Sequence, residues 1–237
     1  MAGAALKQHV PFGFTDGQLE TLKWLALASM FLDHFGRHLM GWPQDSWVFA
    51  GGRFAFPLFA LVLGVNLARE GDRATRAGRT SLRLAGWCVV SVLPSIWARG
   101  DPQMVNVLGT LSLGAALCWT LASPAPVALR LLVCAASAVA AWWMEFGIGG
   151  VFLVPAVWLL CTRPDPGTAI VAASLLFATA WLNGQFGGWP AFACTVGALA
   201  VAALVRALPV SMPRWRYLFY AGYPIHLALI GWLKHAG

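Results

Sequence analysis

The sequence predicts an all-α polytopic membrane protein of about nine transmembrane helices. Three observations carry that reading. The 237 residues are 59% hydrophobic and 11% charged, with a mean hydropathy of +0.69, whereas a soluble domain carries about 25% charged residues. The apolar residues come in runs close to the roughly 17–25 residues that a helix needs to cross a bilayer. Pro and Gly mark nearly every joint between the runs, in GWP, GDP, SPAP, RPDPG, GGWP and SMP, where they end helices and make turns.

The elements follow in order. Residues 1–21 read as a cytoplasmic lead, with no apolar stretch of the kind a cleavable signal carries. The lead turns amphipathic at GQLETLKWLALASM. Residues 22–237 read as one transmembrane domain. Its spans are Leu22–Met40, Trp47–Leu67, Leu82–Ala98, Met104–Leu121, Val127–Trp143, Gly147–Cys161, Ala169–Leu182, Trp189–Leu208 and Tyr217–Leu233. The sixth and seventh are short and joined by TRPDPG, so a re-entrant hairpin with seven full spans is the other arrangement.

The basic residues orient the chain. With nine spans, twelve of the 16 Lys and Arg fall on one side, among them Lys7, Lys23, Arg69, Arg73, Arg76, Arg79, Arg83, Arg214 and Arg216. Only Arg37, Arg53, Arg99 and Lys234 fall on the other. The positive-inside rule places the twelve in the cytoplasm, with the N-terminus in and the C-terminus out. This distribution also accounts for the net charge of +7 without a nucleic-acid partner. The five cysteines lie in or at the end of apolar runs with no CxxC pair, and read as packing residues.

Polar residues collect near the outer face. A charge at the centre of a span costs about 2.5–3.5 kcal/mol on insertion scales, so each needs a reason. Asp33 lies seven residues before the end of the first span and Arg53 six residues after the start of the second. At about 1.5 Å per residue, both sit about 9–10 Å below the outer boundary. The joint between those spans is short, so Asp33, His34 and Arg53 can face one another. Asp33 and Arg37 are four apart, as are His34 and His38, and share helix faces. Asn106, Glu145, Asn183 and Gln185 fall towards the same side, and His226 near the midplane. An ion pair of Asp33 with Arg37 or Arg53 that only fixes helix register is the simpler alternative. The His34–His38 spacing is compatible with a metal, but no HExxH motif or third ligand supports one, and no metal is expected.

A membrane-embedded His beside a carboxylate suits proton abstraction, and an Arg or amide can stabilise an oxyanion. Together they suit acyl transfer, in which His34 deprotonates an amine or hydroxyl that attacks a thioester. Asp33 would tune or orient His34, and Arg53 would bind the acyl carbonyl or a substrate carboxylate. On the cytoplasmic side, LAREGDRATRAGRTSLR gathers five Arg. It reads as a topogenic loop against anionic membrane lipids, or as a dock for an anionic cosubstrate such as coenzyme A, through Arg69, Arg73, Arg76 and Arg79. If both hold, a long pantetheine arm must reach through the bundle to the outer cluster.

The stretch LKWLALASMFLDHFGRHL, followed by GRFAFPLFALVLGVNLAR, resembles the TraX family of conjugative pilus proteins, with its TrbP-like members. The likeness is closest over Leu22 to Arg69, with weaker echoes in MEFGIGG and YAGYPIHLALIG. It implies a multi-pass acyltransferase of the bacterial inner membrane, with its C-terminus periplasmic. Acetyl-CoA would be the acyl donor, a pilin amino terminus the acceptor, and other pilus assembly proteins further partners. It carries Asp33, His34 and Arg53 as motif positions, and Asn106, Glu145, Tyr223 and His226 through the weaker echoes. Two other readings stay open. One is a proton-coupled transporter with Asp33, His34 and His226 as a relay; the other is a non-enzymatic assembly factor that holds pilin in the membrane.

Overall fold

The computed structural model describes residues 10–236. Lys7 lies outside these residues, as does the side chain of Arg216. Among the described residues there is no strand, only one isolated bridge between Val105 and Met144. The helices are α1 (Asp16–His34), α2 (Trp47–Gly52), α3 (Ala55–Ala68), α4 (Arg73–Val90), α5 (Val92–Arg99), α6 (Val107–Ala122), α7 (Val127–Ala140), α8 (Gly147–Thr162), α9 (Pro166–Ala207) and α10 (Arg216–Ala236). The nine apolar segments of the sequence fall on these helices.

Two helical stretches, Trp47–Ala68 and Pro166–Ala207, are long and apolar enough to cross a membrane, and α4 with α5, bent by 48°, makes a third. The apolar helices are compatible with a membrane protein. Exposed tryptophans support that. Trp42, Trp47, Trp97, Trp119, Trp142, Trp143, Trp181, Trp189, Trp215 and Trp232 are all exposed, and most lie close to helix ends. Indoles gather where a bilayer meets water.

Local chemistry sets the boundaries. Thr15 and Gln18 form a capping box at the start of α1, so this helix begins well inside the stretch that reads as the lead. The Gln18 amide also donates to the carbonyls of Arg206 and Leu208, which ties the start of α1 to the end of α9. The α4–α5 bend sits at Pro94, whose ring cannot continue the hydrogen-bond ladder to Val90. Ser91 adds to it by donating to the carbonyl of Trp87 at 2.6 Å.

α9 is a hairpin rather than one long rod. Gly188 takes φ 64°, ψ −162°, a conformation reserved for glycine. The Asn183 amide donates to Thr195 Oγ1 at 2.9 Å, although residues twelve apart in a straight helix are about 18 Å apart. Phe177 and Phe192 also meet, with ring centroids 5.4 Å apart. The chain therefore reverses at GGWP, as the turn residues there predict, and the seventh and eighth segments are its two limbs.

α3 runs through the centre of the bundle and is buried along most of its length. Glycines bring its neighbours close. A Cβ on Gly64 would lie 2.6 Å from Val157, and one on Gly114 2.8 Å from Val154, so α8 packs tightly on both α3 and α6. Small residues allow such approach in membrane helices. At the hairpin tip a Cβ on Gly187 would lie 2.4 Å from the Phe49 ring, whereas one on Gly86 would meet open space. Gly187→Leu is therefore expected to lower stability by about 1–3 kcal/mol through overpacking. Gly86→Ala is expected to be neutral or stabilising by up to about 1 kcal/mol. Thermal unfolding of the two variants in one detergent compares them directly.

Candidate functional site

The site is built where α1, α2 and α10 converge. α1 ends in a π-helical turn, Phe35–Leu39, and its outer end lies against α2 through glycine. A Cβ on Gly36 would lie 2.4 Å from Val48, and one on Gly52 2.3 Å from the Asp33 Cβ. Ser29 donates to the carbonyl of Gly51 at 2.6 Å. This approach lets Arg53, the first residue past α2, reach back across to α1.

Arg53 is 7% exposed and Asp33 2%, and their side chains pair. The other Asp33 oxygen meets Arg37 Nε at 2.9 Å. Arg53 Nε donates to the carbonyl of Phe49, and its guanidinium lies 4.1 Å from the centre of the Phe49 ring. Arg37 lies 5.1 Å from the same ring. One carboxylate thus serves two guanidiniums over one aromatic face.

The partner of His34 is His226, not Asp33. His34 Nδ1 and His226 Nε2 are 2.7 Å apart, and His226 Nδ1 is 2.7 Å from the carbonyl of Gly222. A carbonyl only accepts, so the neutral His226 ring carries its proton on Nδ1 and accepts at Nε2. His34 then donates from Nδ1, which leaves its Nε2 with the lone pair. The rings are stacked, with centroids 5.0 Å apart. The hydrogen bond made by one ring nitrogen fixes which nitrogen of a histidine is basic. α1 and α10 run side by side in the same direction, with Trp24 beside Trp215 and Phe219 at one end and His34 beside His226 at the other. Hence His226 meets His34 rather than lying apart at the midplane.

Tyr223 completes this group. Its ring is 6.2 Å from His34 and 5.5 Å from His226. It is 2% exposed, and its hydroxyl has no hydrogen-bond partner. Unpaired buried hydroxyls call for a reason. Glu145 pairs with Arg99 at 3.4 Å and borders the same chamber as Asp33, His34 and Arg53. Asn106 is occupied elsewhere. It caps α6 through Leu108 N and donates to the carbonyl of Cys88, and so positions the neighbouring Val107. His38 stands beside His34, with centroids 5.6 Å apart. Among the described residues no group of three or more potential ligands is placed to hold a metal.

Two cavities lie side by side at the site. A large one, about 460 Å³, is lined by Lys23, Arg69, Arg76, Arg83 and Arg214, by the acidic Asp16 and Glu20 that pair with three of them, and by Met30, Val107 and Tyr223. A small one, about 20 Å³, is bordered by Asp33, His34, Arg53 and Glu145. Met30, Phe59 and Val107 line both, so these three side chains stand between them. Arg73 and Arg79 do not line either cavity. Arg73 donates to the carbonyl of Ala68 and Arg79 is exposed, while Arg76 both lines the large cavity and caps the end of α3 through the carbonyls of Arg69 and Glu70. Arg83, the fifth Arg of the loop, lines the large cavity although the sequence points only to Arg69, Arg73, Arg76 and Arg79 as a dock for a cosubstrate. Its signal is the spacing Arg76, Thr80, Arg83, which puts all three on one helix face.

The ion cluster generates a stability prediction. Asp33→Asn leaves the buried Arg53 without its counter-charge and is expected to cost about 3–5 kcal/mol. Adding Arg53→Gln to that variant should recover part of the loss, because the uncompensated buried charge is gone. Denaturation of the single and double variants in detergent measures both.

Comparison with known proteins identifies a family. Two proteins from Escherichia coli called Protein TraX are similar to the chain. One is 29% identical over 228 residues, covering 92% of this chain and 88% of its own length. The other, from strain K12, is 45% identical over 80 residues, covering 33% of this chain and 29% of its own length. No solved structure matches the chain. The family model described as TraX protein matches residues 18–234, a range that takes in α1 through α10 and every residue of the cluster, and the chain belongs to the TraX family.

Proposed function

We propose that the chain is an acetyltransferase of the bacterial inner membrane. It crosses the bilayer nine times with its N-terminus cytoplasmic and its C-terminus periplasmic. It moves an acetyl group from cytoplasmic acetyl-CoA to the amino terminus of a conjugative pilin at the periplasmic side.

The observation that carries this reading is a large cavity with cationic side chains in its lining that shares Met30, Phe59 and Val107 with the small chamber bordered by His34. A cavity of about 460 Å³ is within the range that small molecules occupy. Its cationic end suits the phosphates of coenzyme A, since guanidinium groups bind phosphate oxygens with charge-assisted hydrogen bonds. Arg83 also lies over the Tyr220 ring at 5.8 Å, which holds it at the cavity wall. The inner end, at Met30, Val107 and Tyr223, is apolar apart from the Tyr223 hydroxyl, as suits a pantetheine arm.

The residues then divide the chemistry. His34 Nε2 takes the proton of the attacking amine as its nitrogen bonds to the acyl carbon. The C–S bond breaks, and His34 returns the proton to the departing sulfur. His226 holds His34 in the tautomer that leaves Nε2 basic. The free Tyr223 hydroxyl donates to the carbonyl oxygen, where negative charge develops. Arg53 and Asp33 hold the outer end of α1 in place, and the Arg53 charge adds to the field at the chamber. Glu145, paired with Arg99, adds its negative charge at the edge of the small chamber.

The test is transfer of label from acetyl-CoA to a synthetic pilin amino-terminal peptide by the purified protein. His34→Ala is expected to lower transfer by at least about 100-fold, the usual contribution of a general base. His226→Gln keeps an acceptor for His34 Nδ1 and should retain more activity than His226→Leu. Arg83→Gln should raise KM for acetyl-CoA and leave kcat close to wild type. Undiminished transfer by His34→Ala removes the base from the mechanism.

A further inference from the structure

The small chamber beside His34 bears on which acyl group is transferred, an inference that rests on the donor path proposed above. Its volume is about 20 Å³, and one water needs roughly 10–15 Å³ by the same measure. The space is comparable with a single methyl group. Its floor is rigid. Phe56 is 1% exposed and lies stacked on Phe146 with centroids 4.0 Å apart. The Gly150 backbone approaches its ring edge closely enough that an added Cβ would lie 3.1 Å from the Phe56 Cζ. Met30, Phe59 and Val107 border both this chamber and the large cavity.

We infer that this chamber is a gauge of acyl length, with Phe56 as its floor and Met30, Phe59 and Val107 as its neck. A thioester whose carbonyl lies between Tyr223 and His34 must place the rest of its acyl chain in the chamber. The methyl of an acetyl group fills it. Each further methylene runs against Phe56 or must stay in the neck, where it holds the carbonyl back from His34. Selection is therefore steric and acts on the donor, independently of the acceptor.

Equilibrium binding to the full chain in lipid nanodiscs tests this, with coenzyme A, acetyl-CoA, butyryl-CoA and hexanoyl-CoA as competitors for labelled coenzyme A. Wild type is expected to bind butyryl-CoA and hexanoyl-CoA at least about tenfold more weakly than acetyl-CoA, in line with the discrimination that added methylenes meet in a filled pocket. Phe56→Ala is expected to close most of that gap while coenzyme A itself binds as in wild type, which also reports an intact fold. Hexanoyl-CoA binding as tightly as acetyl-CoA in wild type overturns the gauge and leaves the donor path standing. A Phe56→Ala protein that binds coenzyme A normally but keeps the wild-type discrimination overturns the assignment to this side chain. Failure of wild type to bind coenzyme A overturns the donor path, and the gauge with it.

Discussion

The carboxylate of Asp33 is the constraint on which the rest of the site depends. Two guanidiniums are drawn into the interior of the bundle, and they are stable there because one buried carboxylate is shared between them. Arg37 comes from the same helix and Arg53 from the next, so the cluster sets the register of α1 against α2. Gly52 and Gly36 make this possible by letting the two backbones approach. The Phe49 ring lies against both guanidiniums and against the α9 hairpin tip at Gly187, which extends the same register to α9. His34 is the next residue after Asp33. Its depth and rotation are fixed by this clamp before it makes any contact of its own.

That arrangement separates two roles that neighbouring residues in a motif are easily assumed to share. Asp33 is spent on the arginines, and His34 is oriented by α10 through His226 and the carbonyl of Gly222. A histidine has the advantage over a carboxylate as an orienting partner here, because a neutral pair needs no buried counter-charge. The lone pair on His34 Nε2 then follows from a chain of donors and acceptors that starts at a backbone carbonyl. The opposite pole of the molecule is organised by the other set of charges. Asp16 pairs with Arg69, and Glu20 with Lys23 and Arg214, so several of the residues around the large cavity are held by acidic partners on α1. One helix therefore presents the acidic partners of the basic cluster at its start and a histidine at its end, with the cavity along part of its length.

Much of this was legible in the sequence, and the reasons it stopped are physical. The apolar segments and the turn residues between them give the helices, because burial periodicity and Gly or Pro punctuation are local signals. The equal depth of Asp33 and Arg53 follows from helix rise and a short joint, and the two residues do meet. The pairing of His34 with His226 spans 192 positions, and nothing local announces it. Counting depth along α10 alone puts His226 near the midplane; only the packing of Trp24 on Phe219 sets the offset between the two helices. Likewise, five arginines in one loop look equivalent in sequence. They divide once Arg73 is seen to cap α3, Arg79 to face outwards, and Arg76 and Arg83 to share the face that lines the cavity. Asn106 attracts notice as a polar residue in an apolar run, and its amide is used up in capping α6.

The central claim is that one path joins the basic pole to His34 and that the acyl donor lies along it. A structure of the protein with coenzyme A bound in lipid nanodiscs tests this most directly. The account predicts phosphate density among Arg76, Arg83 and Arg214, and the coenzyme sulfur at the neck formed by Met30, Phe59 and Val107, facing His34 Nε2. Coenzyme A bound with its sulfur directed away from His34, or with its phosphates at the pole that carries Arg99 and Glu145, would contradict it.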